Sequence, residues 1–182
     1  MISALKSDCH SKCMYCEGRI DDVAYSAVEH IAPKERFPDL ILEWENLGLA
    51  CTRCNTNKGA YWTEDPSLKI LNPYSDEVGE HLSFAGPMLV PAAGSKRGAN
   101  TIRKLKFNER TDLLISKFSA IQELHDRIER WASETNVELR ELYEEDLRDA
   151  LNPSREFAAT LIAHARANGY PVTDSPRSTS PH

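Results

Sequence analysis

Two Cys-x-x-Cys pairs constrain the fold of this chain more than any other feature of its sequence. Cys13 and Cys16 form the first pair, and Cys51 and Cys54 form the second after 34 intervening residues. Zinc prefers four soft ligands in a tetrahedron, and a two-residue gap lets one turn of backbone aim both sulfurs at the same ion. The spacing therefore predicts a structural zinc site that staples the intervening loop, as a small module with a thin core requires.

The remaining cysteine, Cys9, lies outside this pattern and is expected to be a free thiol. An odd number of cysteines argues against a fully paired disulfide framework, and neither a secretory leader nor a membrane-spanning stretch is apparent. We therefore expect a cytoplasmic protein without a membrane partner. The alternative to zinc is a pair that is redox-active or merely buried. Four nearby aromatic residues are expected to pack around the zinc core: Tyr15, Trp44, Tyr61 and Trp62.

The composition changes along the chain. Residues 1–62 are rich in cysteine, glycine, asparagine and short apolar runs, as expected of a compact metal-held module. Proline, glycine and short apolar runs in residues 63–98 predict an extension of strands and turns. Residues 99–170 predict helices, and the Ser/Thr/Pro-rich residues 171–182 predict a disordered tail. The fold class is therefore α+β.

Apolar residues recur at steps of three and four in the helical region. One amphipathic stripe consists of Leu114, Phe118, Ile121, Leu124, Ile128 and Trp131. A second helix is predicted over residues 137–151, with inward positions at Val137, Leu142, Leu147 and Leu151. A third is predicted to begin with Asn152 as its cap and Pro153 at its first position, and to stop near Gly169.

The net charge of −6 is unusual for a protein that binds nucleic acid, but the charges are unevenly distributed. Residues 95–118 contain seven basic and two acidic residues, whereas residues 121–150 contain ten acidic residues and four arginines. The basic segment is a candidate for following a nucleic-acid backbone, although an exposed, lysine-rich start of a helix explains it nearly as well. The candidate nucleic-acid contacts are Arg53, Lys58, Lys96, Arg97, Arg103, Lys104 and Lys106.

Three further polar features lie inside or beside the stapled loop. Glu29 directly precedes His30, Asn46 lies shortly before the second cysteine pair, and Asn55 directly follows it. Together with the two cysteine pairs, this order resembles the HNH nuclease family, in which a β-hairpin and a helix clasp one catalytic metal ion. The resemblance covers residues 13–59 and implies a small zinc-stapled ββα-metal module followed by a C-terminal helical region.

The resemblance also implies a role for each of these residues. His30 would be the general base that deprotonates the attacking water. Glu29 and Asn55 would be ligands of a hard divalent ion, Mg²⁺ or Mn²⁺, which takes oxygen donors. Asn46 would hold the loop of His30 in place through hydrogen bonds to backbone. The products would carry 5′-phosphate and 3′-hydroxyl ends.

Two positions depart from the usual family pattern. Glu29 stands where aspartate is usual, and Asn55 stands where histidine is more frequent. Simpler interpretations also exist, since His30 can be a surface or core-edge histidine, Asn46 a turn residue and Asn55 only a helix cap.

Longer stretches, reaching to about residue 120, are similar to the HNH nucleases of bacterial anti-phage Septu systems and of some retron operons. They include residues 29–34, 44–46, 71–74 and 80–84. Such nucleases act beside an ATPase, so the acidic helices of residues 121–150 are candidates for contact with an ATPase of the same defence operon. A solvated helix face is an equally good interpretation of the same charges.

The leading hypothesis is a metal-dependent endonuclease that hydrolyses DNA as the effector of an anti-phage system. Two alternatives stay open. An HNH nuclease that cleaves RNA, for instance tRNA, would use the same chemistry. A zinc-ribbon protein that binds nucleic acid or acts as an adaptor without catalysis would explain the cysteines, but it would leave the positions of Glu29, His30 and Asn55 to chance.

Overall fold

The computed structural model describes residues 2–20 and 26–172, and in this part of the chain it contains six α-helices and four strands. The helices are α1 (Ile2–Asp8), α2 (Thr52–Lys58), α3 (Lys96–Leu105), α4 (Thr111–Ser133), α5 (Val137–Ala150) and α6 (Ala158–Ala167). The strands are β1 (Ser26–His30), β2 (Leu47–Cys51), β3 (Leu82–Ala85) and β4 (Met88–Pro91). Short 3₁₀ turns lie at Pro38–Leu40, Trp44–Asn46, Pro66–Leu68, Val78–Glu80 and Phe107–Glu109.

Strands β1 and β2 form an antiparallel hairpin, and α2 follows β2 without a break. In this hairpin Glu29 lies opposite Gly48. A Cβ atom on Gly48 would lie 2.3 Å from the sulfur of Met14, so glycine is required for the first cysteine pair to pack against the hairpin. The backbone N–H of Met14 donates to Leu49 O at 2.8 Å. The predicted small ββα unit within an α+β fold is confirmed.

Strands β3 and β4 form a second antiparallel hairpin that packs against α3. The main core joins the first hairpin to the strand and turn region of residues 63–98 and to the start of the helical region. Its buried residues include Leu5, Ile20, Leu47, Leu49, Leu71, Leu82, Leu89, Leu105, Phe107, Leu113 and Phe157. This one core contains residues from all three predicted parts of the chain, so it does not separate them. The predicted boundaries at residues 62 and 98 stay predictions.

A second core lies among α4, α5 and α6. It contains Ile121, Leu124, Ile128, Leu147, Leu151, Leu161, Ala165 and Tyr170. The second half of the predicted α4 stripe is therefore correct.

The first half of that stripe is wrong by one position. Phe118 is 50% exposed, whereas Leu113 and Lys117 are buried. The reason is that the first turns of α4 pack on the main core, whereas the rest of the helix packs on α5 and α6. On α5 the predicted inward residues Val137 and Leu142 are also exposed, at 70% and 58%.

The third predicted helix begins later than expected, since α6 starts at Ala158 and residues 152–157 form turns. Phe157 adopts a left-handed φ of 55°, and its N–H donates to the carbonyl of Glu17. The carboxylate of Glu17 accepts from the N–H of Ala159 at 2.9 Å. Contacts with Glu17, the residue after the first cysteine pair, thus set the start of the helix in place of the local cap at Asn152. The predicted disordered tail lies, from residue 173 onward, outside the described residues.

None of the helices in residues 2–20 and 26–172 combines the length and the apolar character that a membrane crossing requires.

Candidate metal centre and active site

The four cysteines of the two pairs converge on one point. Their sulfur atoms all lie within 4.8 Å of one another, and the Cys16 and Cys51 sulfurs are 3.9 Å apart. Cys13, Cys16 and Cys54 are buried and Cys51 is half-buried. A backbone turn aims the first pair, since the N–H of Cys13 donates to Gly18 O and the N–H of Glu17 donates to Cys13 O, both at 2.9 Å.

This cluster fits a tetrahedral metal ion such as zinc. Zinc–sulfur bonds of about 2.3 Å imply sulfur–sulfur separations of about 3.8 Å. Hydrogen bonds among the thiols, with the bond to Cys13 as the largest cause, lower the pKa of Cys51 and raise the pKa of Cys54. Cys9 is not part of the cluster, and its thiol donates to Leu5 O at 2.9 Å.

Two cations from the start of the helical region face the cluster. The guanidinium of Arg110 donates to the Cys54 sulfur at 3.3 Å. The ammonium of Lys117 is buried between the rings of Phe84 and Phe157, 5.8 Å from each centroid, and burial lowers its pKa. Four thiolates around Zn²⁺ carry a net charge of −2, so these cations compensate the charge of a metal-loaded cluster.

His30 ends β1, and its ring is half-buried. Its Nε2 lies 3.2 Å from the carbonyl oxygen of Ile41. A carbonyl oxygen can only accept a hydrogen bond, so this contact assigns the proton of the neutral ring to Nε2. The lone pair of Nδ1 is then available to accept a proton.

Asn46 closes the long loop between β1 and β2. Its buried side chain accepts from the N–H of Ala32 at 2.7 Å and donates to the carbonyls of Ala32 at 3.2 Å and Leu40 at 2.9 Å. Its own carbonyl accepts from the N–H of Ile31 at 3.0 Å. These bonds hold both ends of the loop that contains Ile41, whose carbonyl contacts His30.

Glu29 is 1% exposed and pairs with the ammonium of Lys58, with 2.5 Å between Lys58 Nζ and Glu29 Oε1. The same ammonium donates to the carbonyl of His30 at 2.7 Å. Burial raises the pKa of Glu29, and the charge of Lys58 opposes that shift. The other carboxylate oxygen, Oε2, has no hydrogen-bond partner among the described residues. The Tyr15 hydroxyl, like Lys58, opposes the upward shift of the Glu29 pKa.

Asn55 lies half-buried on α2, one turn before Lys58. The carboxylate of Glu29 and the amide oxygen of Asn55 are hard donors that suit Mg²⁺ or Mn²⁺, and the orphaned Oε2 is a ready ligand atom. Among the described residues, Glu29 and His30 do not join any third carboxylate, imidazole or thiol in a metal-sized cluster. Such an ion would therefore depend on amide oxygen and water for the rest of its coordination.

Residues 13–60 match the family model of HNH endonucleases. The resemblance predicted from the sequence is thereby confirmed, and we call these residues the HNH segment. The chain is also similar to two proteins named Septu protein PtuB. It is 34% identical to that of Bacillus thuringiensis over 107 residues and 29% identical to that of Bacillus mycoides (strain KBAB4) over 135 residues, in each case 58% of this chain. The matches cover 40% and 46% of those relatives, so the chain spans less than half of their length. No solved structure matches this chain.

The basic residues predicted to contact nucleic acid occupy different environments. Lys96, Arg103 and Lys106 are exposed on or beside α3. Arg53, exposed on α2 of the HNH segment, pairs with Asp112 at 2.5 Å.

Two of the predicted contacts are engaged inside the protein. The Arg97 guanidinium forms two hydrogen bonds with Asp76, at 3.0 and 2.5 Å, and donates to the Lys69 and Ile70 carbonyls. Lys58, at the end of α2 in the HNH segment, is 5% exposed and directs its ammonium at Glu29, which leaves it unavailable to a phosphate.

The aromatic residues near the HNH segment divide into two groups. Tyr15 and Trp44 pack on the main core as expected. Tyr61 and Trp62 line a surface cleft instead, together with Lys58 and Lys69, and Tyr15 also lines this cleft. The sequence pattern carries no signal for this cleft, because its walls come from segments that are distant along the chain.

Proposed function

We propose that this protein is a metal-dependent HNH endonuclease that hydrolyses phosphodiester bonds in DNA with His30 as the general base. The observation that carries the proposal is the contact of His30 Nε2 with the Ile41 carbonyl, because it leaves Nδ1 as the proton acceptor. Asn46 supports this arrangement by holding the loop that supplies the carbonyl.

In the proposed reaction Nδ1 of His30 takes a proton from a water molecule while the water oxygen forms a bond to the phosphorus. The bond between phosphorus and the 3′ oxygen breaks, and the electron pair of that bond leaves with the 3′ oxygen, which takes a proton from a solvent water molecule. His30 then returns its extra proton to solvent. The products carry a 5′-phosphate and a 3′-hydroxyl. Nε2 keeps its proton and its hydrogen bond to the Ile41 carbonyl, and that hydrogen bond becomes stronger as the ring gains charge.

The carboxylate of Glu29 and the amide oxygen of Asn55 would hold Mg²⁺ or Mn²⁺, and the four cysteines would hold a structural zinc ion. The hard ion, when bound, supplies positive charge beside the scissile phosphate and the leaving oxygen. Oε1 of Glu29 is paired with Lys58, so we assign the other oxygen, Oε2, to the ion.

The decisive experiment compares His30→Ala with a matched control, His125→Ala, which removes a half-exposed imidazole on α4. Zinc-loaded wild type and control are expected to nick supercoiled plasmid when Mg²⁺ or Mn²⁺ is added, and His30→Ala is expected to lose this activity. Undiminished cleavage by a folded His30→Ala protein would overturn the catalytic role. Cleavage of total RNA but not of plasmid would show that the substrate is RNA. Binding of nucleic acid by the wild type without cleavage would favour the zinc-ribbon adaptor.

We further propose that the protein acts in the cytoplasm as the effector nuclease of an anti-phage system, beside an ATPase that contacts its C-terminal helices. The similarity to Septu protein PtuB supports this role. So does α5, where Val137, Leu139 and Leu142 are exposed on an acidic helix. Leu142→Asp is expected to abolish co-purification with the co-expressed ATPase, whereas Met88→Asp, at an exposed position of β4, is expected to preserve it. Equal recovery of the ATPase with both variants would exclude α5 as the contact.

A further inference from the structure

A cleft of about 180 Å³ opens beside the HNH segment. Ile31, the residue after His30, and Lys58, which donates to the His30 carbonyl, both line it. One end of the cleft therefore adjoins the backbone of the proposed general base.

The size of the cleft limits what it can hold. Its volume corresponds to about six water molecules and is below the roughly 300–1,000 Å³ of a site for a drug-sized molecule. A single planar heterocycle is the kind of group that such a space admits.

Two aromatic side chains form a preorganised wall. The indole N–H of Trp62 donates to Glu64 at 3.1 Å, and its ring packs edge-to-face on Phe37 with 4.8 Å between centroids. The Tyr61 hydroxyl donates to the Leu68 carbonyl at 3.0 Å and accepts from Asn100 at 3.1 Å. The rings are thus held in place without a ligand, which lowers the entropic cost of stacking another ring on them.

Cations accompany both rings. The ammonium of Lys69 lies 5.1 Å from the Trp62 centroid, and that of Lys104 lies 4.1 Å from the Tyr61 centroid. A stacking surface beside positive charge is the combination with which proteins bind single-stranded nucleic acid, because the base stacks and the phosphates pair with the cations. At the polar wall, Asn72 and Ser75 offer hydrogen-bonding groups to the edge of a base.

We propose that this cleft binds one unstacked nucleobase of the substrate strand, next to the phosphate that is cleaved. The inference rests on the proposed function, which places that phosphate at His30. A base inside a duplex is stacked and paired, so it must be extruded before it can enter. The nuclease should therefore prefer single-stranded segments to continuous duplex.

The test measures binding apart from cleavage, by fluorescence anisotropy with zinc-loaded His30→Ala protein. The probes are a labelled single-stranded DNA, the same sequence in RNA, and the DNA duplex. Adding Trp62→Ala is expected to weaken single-strand binding roughly 5- to 100-fold. Trp62→Phe should retain most of the affinity, because phenylalanine still offers a ring, and the control Phe118→Ala, at an exposed position of α4, should retain all of it. The better of the two single strands identifies the sugar that the site accepts.

A second measurement holds even if Trp62→Ala fails to fold. Single abasic sites are scanned along the oligonucleotide bound to the His30→Ala protein, and loss of one particular base should weaken binding roughly 5- to 100-fold. If Trp62→Ala folds, that position should have no effect in its background, because both changes remove the same stacking contact.

The proposal is overturned if Trp62→Ala changes single-strand affinity less than twofold, if it weakens duplex and single strand equally, or if no abasic position matters. If the wild-type protein cuts duplex and single strands at equal rates, the proposed base-binding role of the cleft is wrong, but the nuclease proposal still stands. A protein that binds through the cleft but cuts no nucleic acid would instead sink the proposed function.

Discussion

Lys58→Met should be among the most destabilising single substitutions in this protein. The side chains of Lys58 and Glu29 are 3% and 2% exposed, and their charged atoms lie 2.5 Å apart. Removing one partner of a buried ion pair leaves an uncompensated charge, which costs about 3–5 kcal/mol. The cost should be smaller at low pH. Burial raises the pKa of Glu29, loss of Lys58 raises it further, and the carboxyl is neutral below that pKa.

The assay is urea unfolding of the zinc-saturated protein at pH 5 and pH 8, with Lys96→Met as the control. Lys96 is exposed at the start of α3, so its substitution should change stability by less than about 0.5 kcal/mol. The double variant Lys58→Met with Glu29→Met replaces the pair by apolar groups, and it should recover most of the lost stability.

Two results would refute this reasoning. Lys58→Met could cost less than about 1 kcal/mol at pH 8, which would mean that the pair opens to water. The double variant could be no more stable than the single one, which would mean that the loss comes from the bond to the His30 carbonyl and not from a stranded carboxylate.

Three further outcomes are expected. Arg110→Gln should release zinc to a colorimetric chelator faster than the exposed control Arg103→Gln, because a thiolate loses its charged donor; equal rates would contradict this. Asn46→Ala should lower the free energy of unfolding by roughly 1–3 kcal/mol, since it strands a buried backbone amide, and should abolish plasmid nicking at temperatures where the protein stays folded. The pKa of His164 is lowered by burial and by His125, so the unfolded chain binds more protons and stability should fall as the pH drops below about 6.5; an identical slope in His164→Gln would exclude this histidine as the cause.

The sequence alone determined the parts of this protein that depend on short-range geometry. The two-residue gaps in the cysteine pairs were sufficient to predict a cluster whose sulfurs lie within 4.8 Å of one another. The order of the Glu29–His30 pair, Asn46 and Asn55 was sufficient to recognise the HNH segment. Such patterns can be read from sequence because each knuckle, hairpin and turn is specified by neighbouring residues.

The catalytic roles of those residues stay predictions, but the contacts that bear on them came only from the tertiary structure. The partner of His30 is a carbonyl in the loop, and the partner of Glu29 is a lysine that the basic pattern had assigned to nucleic acid. Likewise, Glu17 sets the start of α6 from 142 residues away. Burial and pairing of this kind depend on which distant segments meet. The pattern of charge and the periodicity along the chain do not show which distant segments meet. A lysine such as Lys58 has the same sequence pattern whether it is exposed or buried.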